Sequence, residues 1–261
     1  MDKVSISLQG GLANNLFQIA CAYSYGKKYS KELILLNQKK GIVHNSISSY
    51  RDSVLKDFYF FDTYNLSNFK GLRESQFCYN ELPKIDGNIV LDGYFQSEKY
   101  FKEYKEELQN LFLSDAHISL IREKFKDILN NTTCSIHVRR GDYLNFSNIH
   151  PVQNMNYYMK AIKSMPKETV FLIFSDDIEW CKNNFPDIPE KFICIEGQKD
   201  FEDLYLMSLC NNNIIANSSF SWWGAWLNKN ENKKVISPSS WFGQSANYDT
   251  RDLYCEDWIK L

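Results

Sequence analysis

Short apolar runs alternate along the chain with stretches in which apolar residues return at helical spacing. Residues 4–8, 33–36, 89–91, 134–138, 170–174, 192–195, 214–216 and 235–236 read as strands. Leu16, Ile19, Ala20 and Tyr23 fall at i, i+3, i+4 and i+7, which predicts a helix entered from Asn14 as its N-cap. The same spacing predicts helices over 101–112, 118–129, 155–163, 201–210 and 220–227. Strand then helix, repeated, with strands of mostly apolar residues, implies parallel sheets covered on both faces, an α/β fold.

Residues 41–86 break this rhythm and are rich in Tyr, Phe, Asn and Ser, which predicts a surface excursion that shapes a substrate cleft. The polar run Asn130, Asn131, Thr132 and Thr133 precedes the most regular half. A boundary is expected there, giving an N-terminal domain over 1–132 and a C-terminal domain over 133–261. Open α/β sheets take ligands beyond the carboxyl ends of their strands, so a site is expected in a cleft between the two halves.

A chain of 261 residues that is 44% hydrophobic can build a core without disulfides or a structural metal. Lys and Arg number 30 against 32 Asp and Glu, a net charge of -2, which argues against a general nucleic-acid coat and leaves room for a local basic site. The seven cysteines are scattered with no CxxC pair, so free, buried thiols are expected. The opening MDKVSISLQGGL is a strand pattern and not a signal peptide, and no apolar run approaches the ~20 residues of a membrane span. The expectation is a cytoplasmic protein without a transmembrane segment, with peripheral membrane association left open.

His137–Tyr143 reads HVRRGDY and follows a strand, so its polar residues emerge at a carboxyl end. Arg139 and Arg140 offer planar donor forks suited to phosphate, with His137 and Asp142 beside them. The structural alternative is an Arg–Asp network at a domain interface. Asn217–Leu227 reads NSSFSWWGAWL. It is a strand-to-helix turn in which Asn217, Ser218, Ser219, Phe220 and Ser221 could meet an anion at a helix start. Its alternative is a capped helix with Trp222, Trp223 and Trp226 in the core. In GGLANNLFQ, Gly10 and Gly11 permit positive φ and close approach of the backbone, and Asn14 is either a cap or a substrate contact. Neither GxGxxG nor a P-loop occurs.

Ser175, Asp176 and Asp177 end the strand 170–174, where they could meet a sugar hydroxyl or a metal; capping of the next helix by Asp177 is the alternative. Asp203 sits early in a helix, where it suits the dipole. His150, before Pro151, is a candidate on the acceptor side, whereas His44 and His117 read as surface residues.

Taken in order, GGLANNLFQ, HVRRGDY, FSDD with Trp180, NSSFSWWGAWL and ISPSSWF resemble the α-1,2-fucosyltransferase family, glycosyltransferase family 11. The resemblance runs over essentially the whole chain. The first segment departs from the family's GGLGNQxFQ, with Ala13 for Gly and Asn15 for Gln. The resemblance implies a GT-B fold of two Rossmann-like domains facing a central cleft. GDP-fucose would be held mainly by the second domain and the acceptor by the first. It also implies inversion at the fucose anomeric carbon with no metal or other cofactor required. Arg139 then matches the arginine on the donor β-phosphate and His137 a neighbouring nucleotide contact, while Asp142 orients the arginines. Ser219 and Ser221 match the diphosphate turn, Asp203 the acid that reads guanine, and Asn14 a residue near the fucose or the acceptor. A terminal β-galactoside on an oligo- or polysaccharide is the implied acceptor.

The chemistry agrees with this set. GDP departs with growing negative charge, and a preorganised donor of this kind is worth ~3–4 kcal/mol in the transition state. Asp142, Asp176 and Asp177 are each placed to accept the acceptor's proton, and the sequence does not choose among them. The competing readings are another sugar-nucleotide transferase, metal-dependent through Asp176 and Asp177, and a catalytically silent carbohydrate-binding protein of the same fold.

Overall fold

The computed structural model describes residues 1–41, 46–186 and 191–261. The chain forms two compact units, Met1–Ser114 with Tyr248–Cys255, and Asp115–Asn247 with Glu256–Leu261.

In the first unit β1 (Lys3–Ile6), β2 (Glu32–Leu36), β3 (Phe60–Phe61), β4 (Lys70–Arg73) and β5 (Ile89–Asp92) make one sheet, ordered β3-β2-β1-β5-β4. Every pairing in it is parallel. Helix α1 (Leu12–Tyr29) links β1 to β2, and α2 (Lys105–Phe112) closes the unit. Most of α1 is buried, including Leu16, Phe17, Ile19 and Ala20. Its N-cap is Gly11, not Asn14, which lies within the first turn. Only Gly10 of the glycine pair takes positive φ, at 76°, and a Cβ there would meet the Asn14 side chain. The buried Asn15 and Gln18 hold this turn. Asn15 Nδ2 donates to the Gln9 carbonyl at 2.9 Å, and Gln18 Nε2 to the Gly93 carbonyl at 3.0 Å.

The second unit carries β6 (Thr133–Val138), β7 (Val170–Ser175), β8 (Phe192–Cys194), β9 (Asn212–Ile214), β10 (Val235–Ser237) and β11 (Ile259–Lys260), ordered β11-β10-β9-β6-β7-β8. This sheet too is parallel throughout. Around it run α3 (Asp115–Lys124), α4 (Lys126–Leu129), α5 (Met155–Lys163), α6 (Ile178–Asn184), α7 (Asp200–Leu209) and α8 (Ser219–Leu227). Strand β6 is buried along its whole length, as a central strand must be. Trp222, Trp223 and Trp226 of α8 are buried and cluster with Trp258.

The units divide at Ser114/Asp115, earlier than the polar run at 130–133 suggests. The reason is packing. His117 of α3 lies edge-on to Phe201 of α7 at 5.3 Å, which ties α3 to the second unit. That contact half-buries His117, unlike the surface residue expected. His44 lies outside the described residues. The excursion 41–86 also contributes β3 and β4, so part of it is sheet. All seven cysteines are free. Among the described residues no helix is long and apolar enough to cross a membrane.

Candidate active site

Strands β6, β7 and β9 of the second unit all deliver polar residues at their carboxyl ends. Beyond β6, the segment Arg139–Asp142 turns into a single 3-10 turn, Asp142–Leu144. Arg139 there is held from two sides. Its Nη2 donates to Asp142 Oδ1 at 2.6 Å and its Nη1 pairs with Asp176 Oδ2 at 3.0 Å. The guanidinium also lies 5.3 Å from the centre of the Tyr143 ring. Arg140 is held separately. Its Nε donates to Asp177 Oδ2 at 2.9 Å, and its guanidinium covers the Trp180 ring at 4.1 Å.

Asp176 and Asp177 therefore serve different arginines, as neighbours that diverge at a strand end should. Asp176 Oδ1 also accepts from the Arg140 backbone N–H at 2.9 Å. A Cβ on Gly141 would run into the Asp176 carboxylate, which explains the glycine of the RRGD run. Asp177 caps α6, accepting from the Trp180 N–H at 3.2 Å, and Arg140 holds its carboxyl below the ordinary range. The Ser175 hydroxyl accepts from the Asp177 N–H at 2.9 Å, so it shapes this turn. Among the described residues no group of three or more His, Cys, Asp or Glu gathers as a metal-ligand set.

The β9 end is tied to this arginine loop. Tyr143 donates its hydroxyl to the Asn217 carbonyl at 3.0 Å. The Asn217 side chain is buried and fully engaged. Nδ2 donates to the Pro151 and Trp241 carbonyls, both at 3.0 Å, and Oδ1 accepts from Gln153 Nε2 at 3.0 Å. Ser218 caps α8, and the buried Ser221 hydroxyl donates to the Ser218 carbonyl at 3.3 Å. Asn217 and Ser221 thus build the turn, while Ser219 and Phe220 at the start of α8 remain partly exposed. First-turn N–H groups of a helix attract anions.

Among the described residues, His137 Nδ1, His150 Nδ1 and Asp203 Oδ1 in this unit are buried and lack hydrogen-bond partners. The His137 ring packs 5.7 Å from Phe220, and burial, with help from Arg139, pushes its pKa down to about 3. It is a neutral imidazole at working pH and offers a hydrogen bond, not a charge. His150 stacks on Tyr143 at 4.7 Å, and burial also lowers its pKa. Asp203 lies in the first turn of α7, a helix that starts beyond the carboxyl end of β8. Burial first, then the neighbouring Asp200 and Glu202, raise its carboxyl to about 7. Unpaired buried polar atoms are costly, so each favours a polar partner within reach.

In the first unit Asn14 Oδ1 accepts from Gln96 Nε2 at 2.9 Å, beside Gly10 and Gly11. Gln153 is a residue that sequence reasoning missed, and Tyr143 and Trp180, though inside segments it singled out, were given no role there. Their signal was only the neighbouring arginines and asparagine, since an aromatic ring beside a charge does not announce itself in sequence.

The profile of Glycosyl transferase family 11 matches residues 30–261. The chain belongs to glycosyltransferase family 11. It is similar over its whole length to an Escherichia coli protein named alpha-1,2-colitosyltransferase, at 30% identity and covering 99% of that protein. It is 32% identical to the Escherichia coli O-antigen biosynthesis glycosyltransferase WbnK, with 97% of this chain and 99% of that one covered. Similarity to galactoside alpha-(1,2)-fucosyltransferase 1 of Saimiri boliviensis boliviensis is 26% over 54% of this chain and 43% of that protein. Among solved structures, a NodZ alpha-1,6-fucosyltransferase soaked with GDP-fucose superposes with a TM-score of 0.51 at 16% identity, covering 87% of this chain and 93% of that one. POFUT1 in its apo form gives 0.52 at 10% identity, covering 90% and 97%. These two likenesses establish the fold, GT-B type with two Rossmann-like units.

Proposed function

We propose that this glycosyltransferase moves L-fucose from GDP-fucose to the 2-hydroxyl of a terminal β-galactoside, with inversion at the anomeric carbon. The observation that carries the reading is the arginine loop in the same unit as the unpartnered polar atoms of His137, His150 and Asp203. The second unit takes the donor. Arg139 and the start of α8 meet the diphosphate, and His137 gives a neutral hydrogen bond nearby. The Asp203 carboxylate accepts from guanine N1–H and the 2-amino group, a donor pair that adenine lacks. The first unit, through Asn14 and the Gly10–Gly11 turn, faces the transferred sugar or the acceptor.

As the anomeric bond breaks, negative charge builds on the departing diphosphate. A fixed guanidinium meets that charge without reorganising, and the Asp176 and Tyr143 contacts are what fix it. Three carboxylates face two guanidinium groups in this cluster, so it carries surplus negative charge. A diphosphate then binds best by taking the place of Asp142 on Arg139, since Asp142 is the more exposed of the two partners. The freed carboxylate becomes available to accept the acceptor's proton.

We also propose that no metal is required, because Asp176 and Asp177 are already gripped by guanidinium groups. Likeness to the alpha-1,2-colitosyltransferase favours a second reading, in which the donor is GDP-colitose, whose sugar is fucose without its 3-hydroxyl. Initial rates with each donor, on lactose, with EDTA or with millimolar magnesium, test all of this. Transfer from GDP-fucose in EDTA supports the first reading. Transfer from GDP-colitose alone supports the second. Activity lost in EDTA and restored by metal would contradict the metal-free mechanism.

A further inference from the structure

The first unit holds an open surface pocket that the donor chemistry does not use. It is walled by the last turns of α1, with Cys21, Ser24, Tyr25, Lys28 and Tyr29, by the segment around Tyr79, and by the segment around Tyr100. Asn14 lies in the first turn of α1 and Tyr25 eleven positions on, roughly 16 Å along the helix at 1.5 Å per residue. The pocket is therefore separate from the Gly10–Asn14 turn.

Its chemistry narrows what can fill it. The charged residues that line it are Lys28, Lys99, Glu81 and Glu103, two of each sign. Lys28 pairs with Glu81 at 3.1 Å and Lys99 with Asp252 at 2.6 Å. A nucleotide or a cation finds no surplus of opposite charge. Tyrosines dominate the wall. Tyr25 and Tyr29 meet edge to face at 4.6 Å, and Tyr79 and Tyr100 at 4.9 Å. Several of their hydroxyls are already tied down, as in the Tyr25 and Tyr29 bonds to the Pro83 and Leu82 carbonyls, so the rings are rigid. Ser24, in contrast, is a buried residue of the pocket wall, and its hydroxyl has no hydrogen-bond partner. A ligand is thus required to be neutral, to present a flat apolar face to tyrosine rings, and to offer a hydroxyl to Ser24. A pyranose has those three properties together.

We propose that this pocket is a second carbohydrate-binding site, which takes a neutral hexose of the acceptor glycan away from the reacting sugar. The choice of a glycan segment rests on the transferase reading above, while the choice of a neutral sugar rests on the pocket itself.

The test uses the full chain with lactose and N-acetyllactosamine as probes, followed by saturation-transfer NMR in saturating GDP. GDP binding is measured separately by calorimetry, so that failure of the donor reading is seen on its own. Ser24→Ala is the decisive variant. Removing an unpaired buried hydroxyl leaves the melting temperature unchanged or higher, whereas loss of a ligand hydrogen bond weakens sugar binding about fivefold. Tyr79→Ala should weaken it further. Sugar signals that persist in GDP and fall in both variants support the site. Equal binding by wild type and Ser24→Ala, or no binding that survives GDP, would overturn it.

Discussion

Arg139 is a test of geometry more than of charge. Its two amino groups grip carboxylates on opposite sides, an arrangement that a lysine ammonium cannot reproduce. Arg139→Lys should fold normally and lose at least about 100-fold in kcat/KM with GDP-fucose. Near-normal turnover of the folded variant would remove Arg139 from the diphosphate. Asp142→Asn tests the exchange of partners: removing the competing carboxylate should tighten GDP binding by up to about 1 kcal/mol, as expected for a half-exposed pair. Weaker GDP binding in calorimetry would mean that Asp142 stays on Arg139 and helps to hold it. Asp203 gives a pH signature. With its carboxyl raised to about 7 from 3.8, the folded protein keeps a proton that the unfolded chain has released. Its contribution to stability is therefore full below 3.8 and is lost as pH rises through about 7. Guanine N1–H favours the ionised form, so affinity for GDP-fucose should rise about tenfold from pH 6 to pH 8. Asp203→Asn should flatten that profile and weaken binding by roughly 1–3 kcal/mol. An unchanged profile would leave Asp203 only a helix-start acid.

Among the elements, α7 and α8 meet in a close seam. A Cβ on Gly224 would lie 2.8 Å from Met207 Cβ, so the two helices meet across a glycine. Gly224→Ala should cost about 1–3 kcal/mol in denaturant unfolding, with donor binding weakened because Asp203 and Ser219 start these two helices. A variant as stable as the parent would mean that the seam opens freely. The same elements show what sequence can and cannot give. Helix α5 spans the residues its periodicity predicts, and α7 and α8 lie within one residue of theirs. Strand β9 lies earlier than its apolar residues suggest, over Asn212–Ile214. Its asparagines are buried because they hydrogen-bond inward: Asn213 Nδ2 reaches Ser135 Oγ at 2.7 Å and the Met207 carbonyl at 2.9 Å. Strand β4, Lys70–Arg73, is charged and exposed, and only its pairing with β5 makes it a strand. At the site, the arginines and acids were legible from their crowding at strand ends. The Tyr143 and Trp180 platforms and the inward-facing roles of Asn217 and Ser221 were not, because they depend on contacts distant in sequence.

For the molecule as a whole, the division into units carries the functional reading. The polar run at 130–133 marks the start of β6 and not the boundary, because α3 packs on α7 and draws the residues from Asp115 into the second unit. The arginine loop, the α8 start and Asp203 all fall in that unit, which is the donor side in this account. The most direct measurement of the central claim is the product formed by the full chain from GDP-fucose and lactose in EDTA, with its linkage read by NMR and Arg139→Lys run in parallel. The account predicts fucose α-linked to O2 of the galactose with the wild-type chain, and almost none with the variant. Transfer to another hydroxyl, or equal product from the two proteins, would contradict it.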